Sequence, residues 1–192
     1  MTVQKLGRTI SRANVQQLIA VYESLVEEIS TVDQRGLRLC QTLKRGVISV
    51  GPYPKVTIFE SANRIMSDLV ILYGVKWLLD NDVFPFESYT VEFGNENKNG
   101  FDICATANGE TFVGEAFNVA PSFFHTKKTS MLKKLRAATA NYKVIMFNHD
   151  AVMAGYKPKP SGNEFYVCVT IGTDKCSIVP NPRSAKERNP AL

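Results

Sequence analysis

The chain is poor in the residues from which metal clusters and covalent frameworks are built. Among its 192 residues there are two histidines and four cysteines. Cys40, Cys104, Cys168 and Cys176 are widely scattered with no CxxC pair, a spacing that speaks against a zinc cluster or a disulfide framework. Reduced cysteines acting as small core residues are the simpler reading. The two histidines, His125 and His149, belong to no recognisable triad. There is no Walker-type loop and no GxGxxG, so a small-molecule enzyme with a nucleotide cofactor has no motif behind it. Long apolar runs are missing too. The longest, SDLVILYGVKWLLD, is interrupted by Lys76 and is too short to cross a bilayer. The first residues, MTVQKLGRTISRANV, lack the apolar centre of a signal peptide, so no membrane and a cytoplasmic location are expected.

What is present is an ordinary globular composition, 44% hydrophobic and 21% charged. The length suits one domain over 1–192, with a helical arm at 1–55, a core at 56–179 and a basic tail at 180–192. The formal charge is +5, which points toward a polyanionic partner. The excess is concentrated in RGLRLCQTLKR (35–45), KKTSMLKKLR (127–136) and PRSAKERNPAL (182–192). Each alone is also compatible with a solvated face.

Periodicity orders the elements. Ser11 is a good N-cap, and Val15, Leu18, Ile19, Val21, Tyr22 and Leu25 form the stripe of an amphipathic helix. A turn-rich GPYP then precedes a long helix at about 57–80. After NDVFPF the pattern alternates, and SYTVEF, FDICATA and TFVGEAFNVA read as three strands. Pro121 opens a second core helix, YKVIMFN is a short apolar strand buried on both faces, and EFYVCVTI is a further strand. The expected class is α/β, a mixed sheet of about five strands flanked by helices.

Two acids within this pattern demand an explanation. Asn108-Gly109 is the preferred centre of a two-residue type I′ hairpin. The register it dictates sets Thr106 opposite Thr111, Cys104 opposite Val113 and Asp102 opposite Glu115. Opposed side chains have Cβ atoms about 4.5–5.5 Å apart, where like charges repel. A bulge could break the register, a basic neighbour could pair with one acid, or the two could share a proton. In a basic chain a divalent cation is the more natural partner, since Mg²⁺ favours one or two carboxylates with waters and a substrate phosphate.

With GFDI supplying Asp102 and GEAF supplying Glu115, the stretch resembles the PD-(D/E)xK nuclease superfamily, which includes many type II restriction endonucleases. The order helix, three strands, helix, strand over about 57–150 is similar to that family's core. The resemblance implies a restriction-endonuclease-like fold in which Asp102 and Glu115 hold Mg²⁺ or Mn²⁺. The function it implies is metal-dependent cleavage of double-stranded DNA by a cytoplasmic homodimer, a symmetric site being cut on both strands.

The chain departs from the family at one position. The motif lysine belongs two residues after the acid, and Phe117 stands there. A lysine from the next helix is the expected substitute. Lys128 falls inside the apolar stripe of Phe124, Met131, Leu135 and Ala138, with Lys127 as second choice. Strand residues 115–119 rise about 13 Å and helix residues 121–128 return about 10 Å, which brings a lysine back to the level of Glu115. Glu60, near the start of the long helix, corresponds to an extra metal-linked acid of some members. Glu92 and Asn118 are further auxiliaries. Phosphate contacts are expected from Lys133, Lys134 and Arg136, and from the segment that carries Arg35 beside Gly36 and Arg38. Because of Phe117, the alternative is a nuclease-fold module without catalysis that binds nucleic acid or a protein partner.

Overall fold

The structure is a computed structural model that describes residues 8–30, 33–94, 100–153 and 155–182. The basic tail read in the sequence lies outside these residues from position 183 onward. Among the described residues nine strands and four α-helices follow in the order β1 (Thr9–Ser11), α1 (Val15–Ser30), α2 (Gly36–Arg45), β2 (Val47–Val50), β3 (Tyr53–Thr57), α3 (Ile58–Asp80), β4 (Ser88–Val91), β5 (Ile103–Ala107), β6 (Glu110–Phe117), α4 (Phe124–Ala137), β7 (Tyr142–Asn148), β8 (Glu164–Val169) and β9 (Cys176–Val179). The protein is mixed α/β. Its main sheet has seven strands in the order β1-β4-β5-β6-β7-β8-β9, and β2-β3 form a separate hairpin.

The sheet is therefore wider than the five strands read from periodicity. The additions are β1 and β9, which pair antiparallel at its two edges. β1, with three residues, is too short to show an alternation of period two. The helix α2 and the hairpin β2-β3 also occupy a segment legible only as turn-rich. α2 buries no residue, so its sequence carries no core stripe.

α3 begins where Thr57 accepts a hydrogen bond from the Glu60 N–H, a side-chain N-cap, and its acid in the first turn suits the helix dipole. Its apolar side, including Ile65, Leu69, Leu72 and Val75, lies in the larger of two hydrophobic clusters. The smaller cluster lies under α4. β6 serves both: Phe112 and Ala116 join the larger cluster, Val113 and Phe117 the smaller. The β5-β6 register is the one the turn dictates, with Cys104 opposite Val113 and Thr106 opposite Thr111. Asn108 and Gly109 both take positive φ, 52° and 79°, as a type I′ turn requires. β4-β5-β6 is an antiparallel meander, whereas β6 and β7 are parallel and joined through α4.

Candidate active site

Asp102 immediately precedes β5, and its Oδ2 accepts a hydrogen bond from the Ala116 N–H at 2.8 Å. The backbone is tied on its other side, where the Glu92 N–H donates to the Asp102 carbonyl at 2.9 Å. These two bonds fix Asp102 between β4 and β6. The opposing acid, Glu115, is only 3% exposed. Burial pushes its pKa up to about 7, and the Asp102 charge pushes in the same direction. Burial likewise raises Asp102, while the Ala116 N–H, Lys134 and Lys127 oppose the shift.

The turn thus delivers a buried and a half-buried carboxylate to neighbouring positions, each disfavoured in its charged form. A cation partly relieves Glu115: the Lys134 ammonium lies 2.5 Å from Oε1. Its alignment falls short of a hydrogen bond, and Oε1 has none. Lys134 also stands over the Phe101 ring at 5.2 Å. A residue expected on a phosphate backbone is instead an ion-pair partner inside the site.

Beside Asp102 opens a cavity of about 460 Å³, bounded by the start of α3, the end of β6 and the first turns of α4. Its acidic lining is Glu60, Asp68, Glu92 and Asp102, with Asn118 and Lys127 at the wall. Glu60 is held at 2.5 Å by Arg64, one turn on. Glu92 is buried and raises the pKa of Asp102 by like charge. Asn118 Oδ1 accepts from Asn148 Nδ2 at 3.2 Å, which ties the end of β6 to the end of β7.

The two lysines read as substitutes for the motif lysine part ways. Lys127 lines the cavity and acts electrostatically on both Asp102 and Glu115. Lys128 turns to the Phe124 and Tyr156 rings, 5.7 and 5.3 Å from their centres, with Nζ 3.4 Å from the Tyr156 hydroxyl. Burial there lowers its pKa. Successive helix positions are turned by about 100°, so only one of two neighbouring side chains enters the cavity. The motif slot itself is filled: Phe117 is 1% exposed and packs against Phe124 and Phe147.

The remaining basic residues expected on DNA are dispersed. Arg136 makes a two-pronged pair with Glu164, at 2.5 and 3.1 Å. Lys133 is exposed on α4, while Arg35, Gly36 and Arg38 lie exposed at the start of α2.

Sequence reading missed Asp68. It sits in the middle of α3, is 3% exposed, and accepts hydrogen bonds from the Tyr53 hydroxyl and, at 3.3 Å, from the Gly94 N–H. Burial raises its pKa well above its ordinary value. An Asp between apolar residues in SDLVIL was the available signal, since a charge is almost never buried without a partner. Gly94 is required at its place: its φ is +67°, and a Cβ there would lie 2.5 Å from the Tyr53 ring.

The donor set around Asp102 consists of carboxylate oxygens, the hard ligands that Mg²⁺ and Mn²⁺ prefer. Among the described residues no three acids, histidines or cysteines form a group able to hold an ion alone. Mg²⁺ does not need such a cage, because it usually keeps several waters and takes one or two carboxylates plus substrate phosphate. The crowding of buried negative charge around Asp102 fits a cation of this kind.

The raised pKa of Glu115 has a thermodynamic consequence with a definite sign. Between the ordinary value of 4.5 and about 7 the folded protein keeps a proton that the unfolded chain has released. Stability is then highest below that window and is lost as pH rises through it. Without divalent ions the melting temperature is expected to fall from about pH 5 to about pH 8, and Glu115→Gln to flatten part of that slope. Added Mg²⁺ should raise the wild-type melting temperature more at the higher pH. Differential scanning calorimetry at constant ionic strength checks all three, and an unchanged slope in Glu115→Gln would refute the assignment of a buried, proton-retaining Glu115.

Comparison with protein-family models, curated proteins and solved structures finds no match for this chain.

Proposed function

We propose that this chain is a metal-dependent DNA endonuclease of the restriction type, hydrolysing phosphodiester bonds in double-stranded DNA as a homodimer. The observation that carries the reading is the junction of Asp102 and Glu115 across one hairpin, beside a cavity that also receives acids from α3 and Lys127 from α4. The order α3, three antiparallel strands, α4 and a parallel strand supports a PD-(D/E)xK-like core around it. The basic balance of the chain supports a nucleic-acid partner.

Asp102, and Glu115 once released by Lys134, would hold the divalent cation, with Glu60, Asp68 and Glu92 as further acids at the same cavity. A bound cation would supply a water of lowered pKa and neutralise charge on the phosphate. The chain's own residues do the rest. The Ala116 N–H fixes the Asp102 carboxylate, Lys127 offers a positive charge at the cavity wall for a phosphate oxygen, and Phe117 closes the space beneath against water.

The Glu115–Lys134 pair and the buried Phe117 favour a second reading, a module that binds nucleic acid or a protein partner and does not cut. Incubating plasmid and phage DNA with Mg²⁺ or Mn²⁺ separates the two. Discrete fragments are expected; intact DNA accompanied by a salt-sensitive gel shift would establish the binder instead.

A further inference from the structure

The chain has eleven phenylalanines, and all lie among the described residues. Only Phe59 and Phe123 among them are largely exposed, at 59% and 65%. They sit at the starts of the two helices whose residues line the acid cavity. Phe59, in the first turn of α3, lines the acid cavity. Phe123 has helical backbone angles directly before α4 and lies one turn before Lys127, which lines the opposite wall. Positions four apart share a helix face, so Phe123 is on the face of α4 that carries Lys127 and Met131, both of which line the cavity. Single exposed apolar side chains are ordinary, but two exposed rings at the starts of the helices that line one cavity point to a binding surface.

The surroundings identify what the rings receive. α4 (FHTKKTSMLKKLRA) and α2 (GLRLCQTLKR) carry cations and no acid. The cationic end of α2 adjoins Phe59, since the Ile58 N–H donates to the Gly46 carbonyl at 3.1 Å, one residue after Lys44-Arg45. The mouth therefore combines two aromatic faces with positive charge on both sides, above carboxylates that would hold a metal. Aromatic faces between cations are the chemistry of a nucleic-acid strand whose bases are unstacked, not of a paired duplex, which offers no base face.

Resting on the nuclease reading, we propose that Phe59 and Phe123 form a stacking site for an unpaired base next to the phosphate held over Asp102. The preferred substrate is then DNA that is single-stranded, mismatched or opened at the cut. A fully paired site has to extrude a base at a cost, which a mismatch or an existing single strand reduces.

The test measures binding and cleavage separately. Fluorescence of 2-aminopurine reports stacking in a duplex with a central unpaired bubble and in its fully paired counterpart, titrated with protein in Ca²⁺. The bubble DNA is expected to bind about 10-fold tighter, and Phe59→Ala and Phe123→Ala each to remove most of that preference. Both side chains are on the surface, so the variants should fold, which circular dichroism verifies. Phe59→Trp should retain the preference and Phe59→Leu lose it, because leucine offers apolar area without a ring face. Equal affinity for paired and bubble DNA, no binding of either, or retention by both alanine variants would overturn the proposal. Failure of the nuclease reading looks different: no cleavage of any DNA in Mg²⁺ with the binding preference intact.

Discussion

Asp102→Asn is expected to reduce Mg²⁺-dependent DNA cleavage on the order of 1,000-fold, since a metal-linked group supplies several kcal/mol to the transition state. The substitution is nearly isosteric, and the side-chain carbonyl can still accept from the Ala116 N–H, so the β5-β6 junction should persist. Removing a negative charge that desolvation, and more weakly Glu92, disfavours should also relieve the fold. Stability should therefore hold or rise while activity falls, as is usual where function keeps strain in a site. Two measurements check this: the rate of plasmid cleavage, and titration calorimetry of Mg²⁺ or Mn²⁺ binding without DNA. Wild-type rate and wild-type metal affinity in a folded Asp102→Asn protein would remove Asp102 from the site.

The second large effect is expected at a lysine. Lys127→Ala should slow cleavage about 100-fold, the scale of losing one preorganised electrostatic group, whereas Lys128→Ala should change the rate only a few-fold. The two residues are adjacent in sequence and differ in what they face: Lys127 the acid cavity, Lys128 the Phe124 and Tyr156 rings. Lys128→Ala should act on stability, because its stem and ammonium pack on those rings. Single-turnover cleavage beside thermal melts separates the effects. A 100-fold loss in Lys128→Ala with little change in Lys127→Ala would reverse the assignment.

This lysine shows where sequence legibility ended. The anomaly was readable, because Glu115-Ala116-Phe117 puts a ring where a cation was expected. So was the level along α4 at which a replacement must lie, since strand and helix rises are fixed quantities. The rotation of α4 was not. It depends on how Phe124, Leu132 and Leu135 settle into the cluster under the helix, and Lys128, four after Phe124 and four before Leu132, goes with that face toward Tyr156 while Lys127 is left to the cavity. Turn chemistry, by contrast, was decisive. Asn108-Gly109 set the β5-β6 register residue by residue because both positions require positive φ. Asp68 and the hairpin β2-β3 escaped because their roles arise from distant partners: Tyr53 and Gly94 for the aspartate, the start of α3 for the hairpin. No local periodicity encodes a tertiary hydrogen bond.

The two helices that frame the cavity are anchored unequally. α3 buries thirteen of its 23 residues, including its middle, whereas α4 buries three of fourteen. Local opening follows buried apolar contact, so α4 belongs to the less protected part of the molecule. Glu60 and Asp68 therefore reside on a firm scaffold, and the cations Lys127 and Lys134 ride on the less anchored helix. An incoming polyanion competing for Lys134 would loosen that helix from Glu115 at the moment it supplies a new partner for the charge. Release of α4 from Glu115 and capture of a polyanion would then be one thermodynamic event.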